Sequence, residues 1–377
     1  MQLLKLVTNL VKLGEPLPWG VRDAQGNLLL AQGHVIATAG QLSAVLERGA
    51  FVDVEEARAA AKRAAELEKQ RQQPQRPVNL FTLWERMLWQ LDRLLRSVDE
   101  PGFSERADEV AQHIVQLTDR DADIAIYLCV RQDPKRLAIY GLAHSIHCAL
   151  ICLLVARRLG WDEATVQTGV KAALTMNIAT LELQGRLAVQ GVPPTATQKE
   201  QLGQHPAKGA DMLRAAGVDD EAWLSAVHQH HERPDGSGYP DHITEPTEIA
   251  LLLRHVDVFM AKISPRATRV PLTTQMAARQ MFQEDPSALS AAIVKEVGIF
   301  PPGELVQLKS GEQAVVVRRT ANANMPMVAS ITDRSGMPIV STTVRDTSRP
   351  EFAIASTVVD KGLVLRMPPE RLYGLPE

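Results

Sequence analysis

Residues 137–159, LAIYGLAHSIHCALICLLVARRL, are apolar on almost every face. A surface helix needs a single apolar stripe, so a segment that is apolar all round belongs in the middle of a bundle. A chain that carries it must supply enough other helices to enclose it. With 377 residues there is room for two or three domains. The hydrophobic content of 45% is enough to fill their cores. No apolar run approaches the roughly 20 residues that span a bilayer. The N-terminal MQLLKLVTNLVKLGEPLPWG mixes Lys among its apolar residues, offers no small-residue cleavage site, and does not read as a signal peptide. The expectation is a cytoplasmic protein with no membrane span.

The remaining pattern divides the chain into four. Residues 1–55 read as a small mixed α/β unit. Leu3 to Val7 is a candidate strand, Asp23 to Asn27 a turn, Leu28 to Leu30 a second apolar run, and Gln41 to Arg48 a short helix ended by Gly49. Residues 56–77 are rich in Ala, Glu, Lys, Arg and Gln with almost no apolar face, which predicts a solvated helical linker ending at Pro74 and Pro77. Residues 78–300 follow a helical period. Leu80, Leu83, Met87, Leu88, Leu91, Leu94 and Leu95 trace one stripe, Gly160 ends the apolar helix and Asp162 opens the next. Thr195 and Gln198 have capping-box spacing, and Asp219 or Asp220 caps the helix of Trp223 and Val227. Residues 301–377 change to short β-type runs around Ser310-Gly311 and the turn Asp333 to Gly336. The expected fold is mainly α, with a β-rich C-terminal appendix.

A formal net charge of -3 gives no ground for general nucleic-acid binding, so DNA is not an expected partner and any anion site must be a local cluster. The cysteines, Cys129, Cys148 and Cys152, are odd in number, and the last two are one helical turn apart. They read as buried thiols, not a disulfide framework.

Histidine is concentrated: eight of ten lie between His144 and His255. Imidazole is the commonest nitrogen ligand for catalytic metals. His144, His205, His230, His231 and Asp257 fall on four separate predicted helices or helix ends, the way metal sites are assembled inside bundles. His147, His228 and His255 read as structural or surface residues. After His230-His231, the run Pro234-Asp-Gly-Ser-Gly238 imposes a tight loop that would project Tyr239 toward the mouth of a pocket.

The segment His230-His-Glu-Arg-Pro-Asp-Gly-Ser-Gly-Tyr-Pro240 resembles the HHExxDGSGYP signature of the HD-GYP family, a branch of the HD phosphohydrolases. His144-Ser145, His205-Pro-Ala-Lys-Gly209, Arg254-His-Val-Asp257 with Phe259, and Arg266 with Arg269 resemble the family's other motifs in order and spacing. The resemblance covers roughly residues 100–300. It implies an all-helical HD-GYP bundle, a centre of two or three iron or manganese ions, and hydrolysis of cyclic di-GMP to pGpG or GMP by a metal-bridging hydroxide. It also implies contacts of the Gly-Tyr-Pro loop with GGDEF-type diguanylate cyclase domains.

The resemblance fails at one place. Where the family has Leu-Leu-His-Asp-Ile-Gly-Lys, this chain has Leu174-Thr-Met-Asn-Ile-Ala-Thr180. Met176 replaces His, Asn177 replaces Asp, and Thr180 replaces a phosphate-facing Lys; Tyr140 stands where some members carry Glu. A thioether suits neither Mn²⁺ nor Fe²⁺, and a neutral amide cannot offset the repulsion of two dications. Met176 can simply fill the former site, and Asn177 can be a buried polar group with a backbone partner. One ion would keep only His144 and Asp257, the other His205, His230 and His231. The expectation is at most one divalent ion (Fe, Mn or Zn), with no residue assigned a catalytic role.

Tyr239, Arg266, Arg269 and Thr180 remain as candidate ligand-binding residues, since Arg forks onto phosphate and Tyr stacks on a base. The bland alternative for the two arginines is a solvated helix end beside Pro265. The function that follows is a non-catalytic sensor of cyclic di-GMP or a related dinucleotide, or a protein-docking module. The alternative is a metal-dependent cyclic di-GMP phosphodiesterase of reduced or altered activity that uses the three-His site alone.

Overall fold

The apolar segment forms the helix Tyr140–Arg158, with buried residues on every face. The structure, a computed structural model, describes residues 3–6, 11–72, 79–360 and 362–375. These belong to two compact units, Met1–Pro77 and Val78–Glu377.

In the first unit, β1 (Leu3–Lys5), β2 (Val21–Arg22), β3 (Leu28–Leu30) and β4 (Phe51–Asp53) form an antiparallel sheet in the order β1-β4-β2-β3. Helix α1 (Ala39–Glu47) starts with a capping box between Thr38 and Gln41 and shares a core with the sheet through Leu42, Val21 and Val52. Helix α2 (Val54–Gln72) follows β4 directly. Its Glu56 accepts the Gly20 N–H at 3.1 Å and pairs with Arg22 at 3.2 Å. The first turn of the expected linker is therefore tied to the sheet. Val7 of the first expected strand, and Pro74 and Pro77, lie outside the described residues.

The second unit is built from α3 (Leu80–Arg96), α4 (Phe103–Arg120), α5 (Ala122–Arg131), α6 (Tyr140–Arg158), α7 (Glu163–Thr175), α8 (Leu181–Val189), α9 (Ala196–Ala215), α10 (Glu221–Gln229), α11 (Glu248–Ile263), α12 (Thr274–Glu284) and α13 (Ala288–Val297). Local chemistry sets the ends of these helices. Asp162 caps α7 by accepting from the Thr165 N–H at 3.0 Å, and Thr195 with Gln198 closes the capping box of α9. Asp220, not Asp219, caps α10. By length and composition alone Pro134–Arg158 is long and apolar enough to cross a membrane, as a buried core helix also is. Of its most apolar 18-residue stretch 72% is buried inside the unit, because the other helices take up its apolar surface.

The C-terminal strands β5 (Leu305–Leu308), β6 (Gln313–Arg318), β7 (Met327–Thr332), β8 (Pro338–Asp346) and β9 (Ile354–Thr357) form an antiparallel sheet in the order β8-β7-β6-β5-β9, followed by α14 (Pro369–Leu372). Leu305, Val315, Val317, Ala329 and Ile331 belong to the same core as α3 to α13. Arg319 donates to Asp123 and Glu296, which fastens the sheet to α5 and α13. The boundary expected at residue 301 is thus a change of secondary structure within one core. A sheet with an apolar face needs a cover, and here helices provide it.

Candidate functional site

His205 lies on α9 immediately before Pro206. Proline has no N–H, so the Leu202 carbonyl four residues earlier lacks its helical donor. The His205 ring takes that place, with Nδ1 2.6 Å from the Leu202 oxygen. His230 follows α10, whose last carbonyls are also without helical donors. Its Nδ1 lies 2.6 Å from the Val227 oxygen. Both Nδ1 atoms must therefore carry the proton, which leaves both Nε2 atoms as bare lone pairs. Those two atoms face each other at 3.0 Å. Two lone pairs at that distance repel, and a shared cation relieves them. The spacing is well inside the about 4.2 Å that separates two nitrogens on opposite sides of one ion bound at about 2.1 Å.

His231 completes the group. The ligand atoms of His205, His230 and His231 all lie within 4.8 Å of one another. Tyr239 stacks on His231 with ring centroids 4.6 Å apart. Burial holds all three imidazoles toward the neutral form, His231 down to about 4. For His230, repulsion from His231 and His205 adds to burial. Neutral imidazole with its other N–H on a carbonyl is the form that binds metal. This group fits one divalent ion.

The second set is arranged differently. His144, on α6, has Nε2 2.7 Å from the Asp257 Oδ1 on α11 and Nδ1 3.4 Å from the Tyr140 hydroxyl. Arg266 donates to that hydroxyl at 2.8 Å, and its guanidinium lies over the Tyr140 ring. A consistent assignment runs Arg266 to Tyr140 to His144 to Asp257, each group donating to the next. Burial opposes ionisation of Asp257, but the hydrogen bond from His144 holds its carboxyl well below the usual range. Cys148 Sγ lies 3.5 Å from His144 Nε2, and burial pushes its thiol well up. His144, Cys148 and Asp257 also bring their ligand atoms within 4.8 Å of one another, but here a histidine nitrogen and a carboxylate oxygen are in direct hydrogen-bond contact.

The altered doublet is buried at the end of α7, with Met176 fully in the core. Asn177 Oδ1 accepts from Gln184 Nε2 at 2.6 Å, so its partner is a side chain and not the expected backbone group. Asn177 Nδ2 and Gln184 Oε1 are buried without partners among the described residues. Thr180 is buried, with its hydroxyl 3.5 Å from the Asn177 carbonyl. Arg269 is exposed, and its guanidinium donates to the Ala261 carbonyl.

Of the histidines read as structural or surface, His255 lies 2.7 Å from Asp285, and His228 pairs with Asp241 at 2.7 Å. Sequence reasoning missed Cys148, Tyr140 as the partner of His144, and the fully buried Glu232, whose Oε1 accepts the N–H groups of Asp241 and His242. The signal for the first two was their spacing four residues either side of His144, which puts all three on one helix face.

The family model of the HD domain matches residues 107–293, which hold every residue of both sets together with the HHExxDGSGYP signature. The chain belongs to the HD-GYP family. The cyclic di-GMP phosphodiesterase PA4108 of Pseudomonas aeruginosa is 27% identical over 234 residues, which cover 60% of this chain and 54% of that protein. The chain thus matches about half the length of this relative. Among solved structures, Bd1817, a HDG"Y"P protein from Bdellovibrio bacteriovorus, matches with a TM-score of 0.48 and 12% identity, covering 78% of this chain and 99% of that one.

Proposed function

We propose that this HD-GYP protein is a degenerate member that senses cyclic di-GMP, or a related dinucleotide, in the cytoplasm without hydrolysing it, and docks GGDEF-type diguanylate cyclase domains through its Gly-Tyr-Pro loop. The observation that carries the reading is the closed contact between His144 Nε2 and Asp257 Oδ1 at 2.7 Å, beside an Asn177 bonded to Gln184. A paired metal centre needs open ligands and a bridging carboxylate. Here the two ligands satisfy each other and the bridge is a neutral amide.

Tyr239, Arg266, Arg269 and Thr180 form the ligand-facing set of this reading. A phosphate that draws the Arg266 fork away from Tyr140 would release the hydroxyl that faces His144. Binding would then be felt along the chain to Asp257 without any bond being cleaved. Thr180 keeps a hydroxyl donor but lacks the charge of the family's lysine.

The facing Nε2 atoms of His205 and His230 favour a second reading, a phosphodiesterase of reduced or altered activity with a single ion (Fe, Mn or Zn). Bound there, a divalent ion would supply a Lewis acid and an activated water. The two readings separate in a calorimetric titration with cyclic di-GMP followed by product analysis. The sensor reading expects binding heat, no pGpG or GMP, and a loss of roughly tenfold or more in affinity for Arg266→Ala, the contribution of one charge-assisted phosphate contact. Chelator-sensitive release of pGpG would overturn it.

A further inference from the structure

Tyr140 also lines a cavity of about 170 Å³, partly open to solvent, between α3, α5, the turn Pro134–Ile139 and α6. Its walls are largely apolar: Phe81, Leu88, Ala143, Ile146 and Leu150. An apolar cavity of about 150 Å³ is large enough to take up benzene. Polar residues line it as well, Gln132 and Asp133 among them, and two ring nitrogens are buried and unpaired among the described residues. Trp84, only 4% exposed, has its Nε1 buried without a hydrogen-bond partner among the described residues, and so has His147 at Nδ1.

An indole N–H left unpaired in a core costs about 1–3 kcal/mol, and folded proteins keep few of them. Two such groups lining one cavity of ligand size are explained by a molecule that brings an acceptor to them. At the rim, Glu85 and Arg136 neutralise each other through bonds of 2.6 and 2.8 Å, so neither selects charge. Arg131 also lines the cavity, and its Nε has no partner among the described residues.

We propose that this cavity is a binding site for a small planar ligand, one aromatic ring carrying a carbonyl or carboxylate oxygen that accepts from Trp84 Nε1–H and meets His147 Nδ1. Burial lowers the pKa of His147 to about 3, which keeps its imidazole neutral and able to take part on either side of a hydrogen bond. The ligand would touch Tyr140 and Pro265, the latter adjacent to Arg266 in sequence. Occupancy would therefore bear on the Arg266–Tyr140 bond, and the cavity becomes a regulatory site. The proposal does not depend on the signalling reading above, and its failure would leave that reading untouched.

The test is calorimetric titration and thermal melting of the full chain with benzoate, benzamide and benzene. Benzoate or benzamide is expected to bind saturably and raise Tm, with benzene at least tenfold weaker. Benzoate tighter than benzamide assigns the acceptor to an anion beside Arg131; the reverse assigns it to a neutral carbonyl. Trp84→Phe keeps the ring and removes the N–H, so affinity should fall about tenfold. Ala143→Leu fills the cavity and should abolish binding. If that variant fails to fold, Trp84→Phe carries the test alone. Absence of binding by both oxygen-bearing probes, benzene binding as tightly as they do, or unchanged affinity in Trp84→Phe would each overturn the proposal.

Discussion

Glu232 tests how the signature loop is held on the histidine cluster. Its side chain is fully buried, and one oxygen accepts the Asp241 N–H at 2.6 Å and the His242 N–H at 3.1 Å. The same loop runs tight against the end of α10. A Cβ on Gly238 would lie 2.4 Å from both Glu232 Cα and Arg233 N, and the Tyr239 N–H reaches the His231 carbonyl at 3.3 Å. Glu232→Ala strips a charged acceptor from two backbone donors, and each such bond contributes about 1.5–3 kcal/mol. Water can reach part of this loop and replace some of that, so the expected net loss is about 2–4 kcal/mol.

Glu232→Gln keeps an oxygen and loses only the charge, for about 1 kcal/mol. The loop can open without global unfolding. Hydrogen exchange at the Asp241 and His242 amides is therefore the sharper assay, with urea unfolding beside it. A local loss of this size speeds exchange by roughly 30- to 1000-fold. Exchange within about threefold of the parent in Glu232→Ala, with unchanged urea stability, would refute the assignment of Glu232 as the anchor of the loop.

Three further outcomes follow from the same structure. Tyr140→Phe removes the acceptor of the Arg266 bond and should lower urea stability by about 1.5–3 kcal/mol while loosening the 264–272 segment in hydrogen exchange. Restoring the doublet as Met176→His with Asn177→Asp should raise bound Mn²⁺ from one ion per chain or fewer to two, read by elemental analysis; no rise would show that these two positions are not what is missing. For His147, the folded pKa of about 3 lies below the ordinary 6.5, so the unfolded chain takes a proton that the folded chain refuses between those values. Its stabilising effect is complete above pH 6.5 and is lost as pH falls toward 3, amounting to about 2–3 kcal/mol at pH 4.5. His147→Gln should flatten that part of the stability–pH curve, and an identical acid limb would contradict the shift.

What the sequence made legible was local. The helix Tyr140–Arg158 announced itself because no face of it could tolerate water. The caps at Asp162 and Thr195 were readable because the cap and its target are three residues apart. The metal-type histidines were readable because a tight glycine-rich loop and a proline fix their neighbours. The unreadable parts are contacts between distant residues. Arg266 meets Tyr140 across 126 positions, and nothing near either residue points to the other. The covering of the C-terminal sheet by α3 to α13 is of the same kind, as is the partnership of Asn177 with Gln184, where a backbone partner was equally plausible. Strand β4 escaped notice because three residues are too few to show alternation.

The central claim is that one half of an HD-GYP metal centre survives and the other has closed. Elemental analysis and cyclic di-GMP turnover, measured on one preparation expressed with added iron and manganese, test it most directly. The account predicts no more than one ion per chain, lost on His230→Ala but retained on Asp257→Ala, and bound cyclic di-GMP recovered intact. Two ions per chain, together with release of pGpG or GMP that a chelator abolishes, would contradict it.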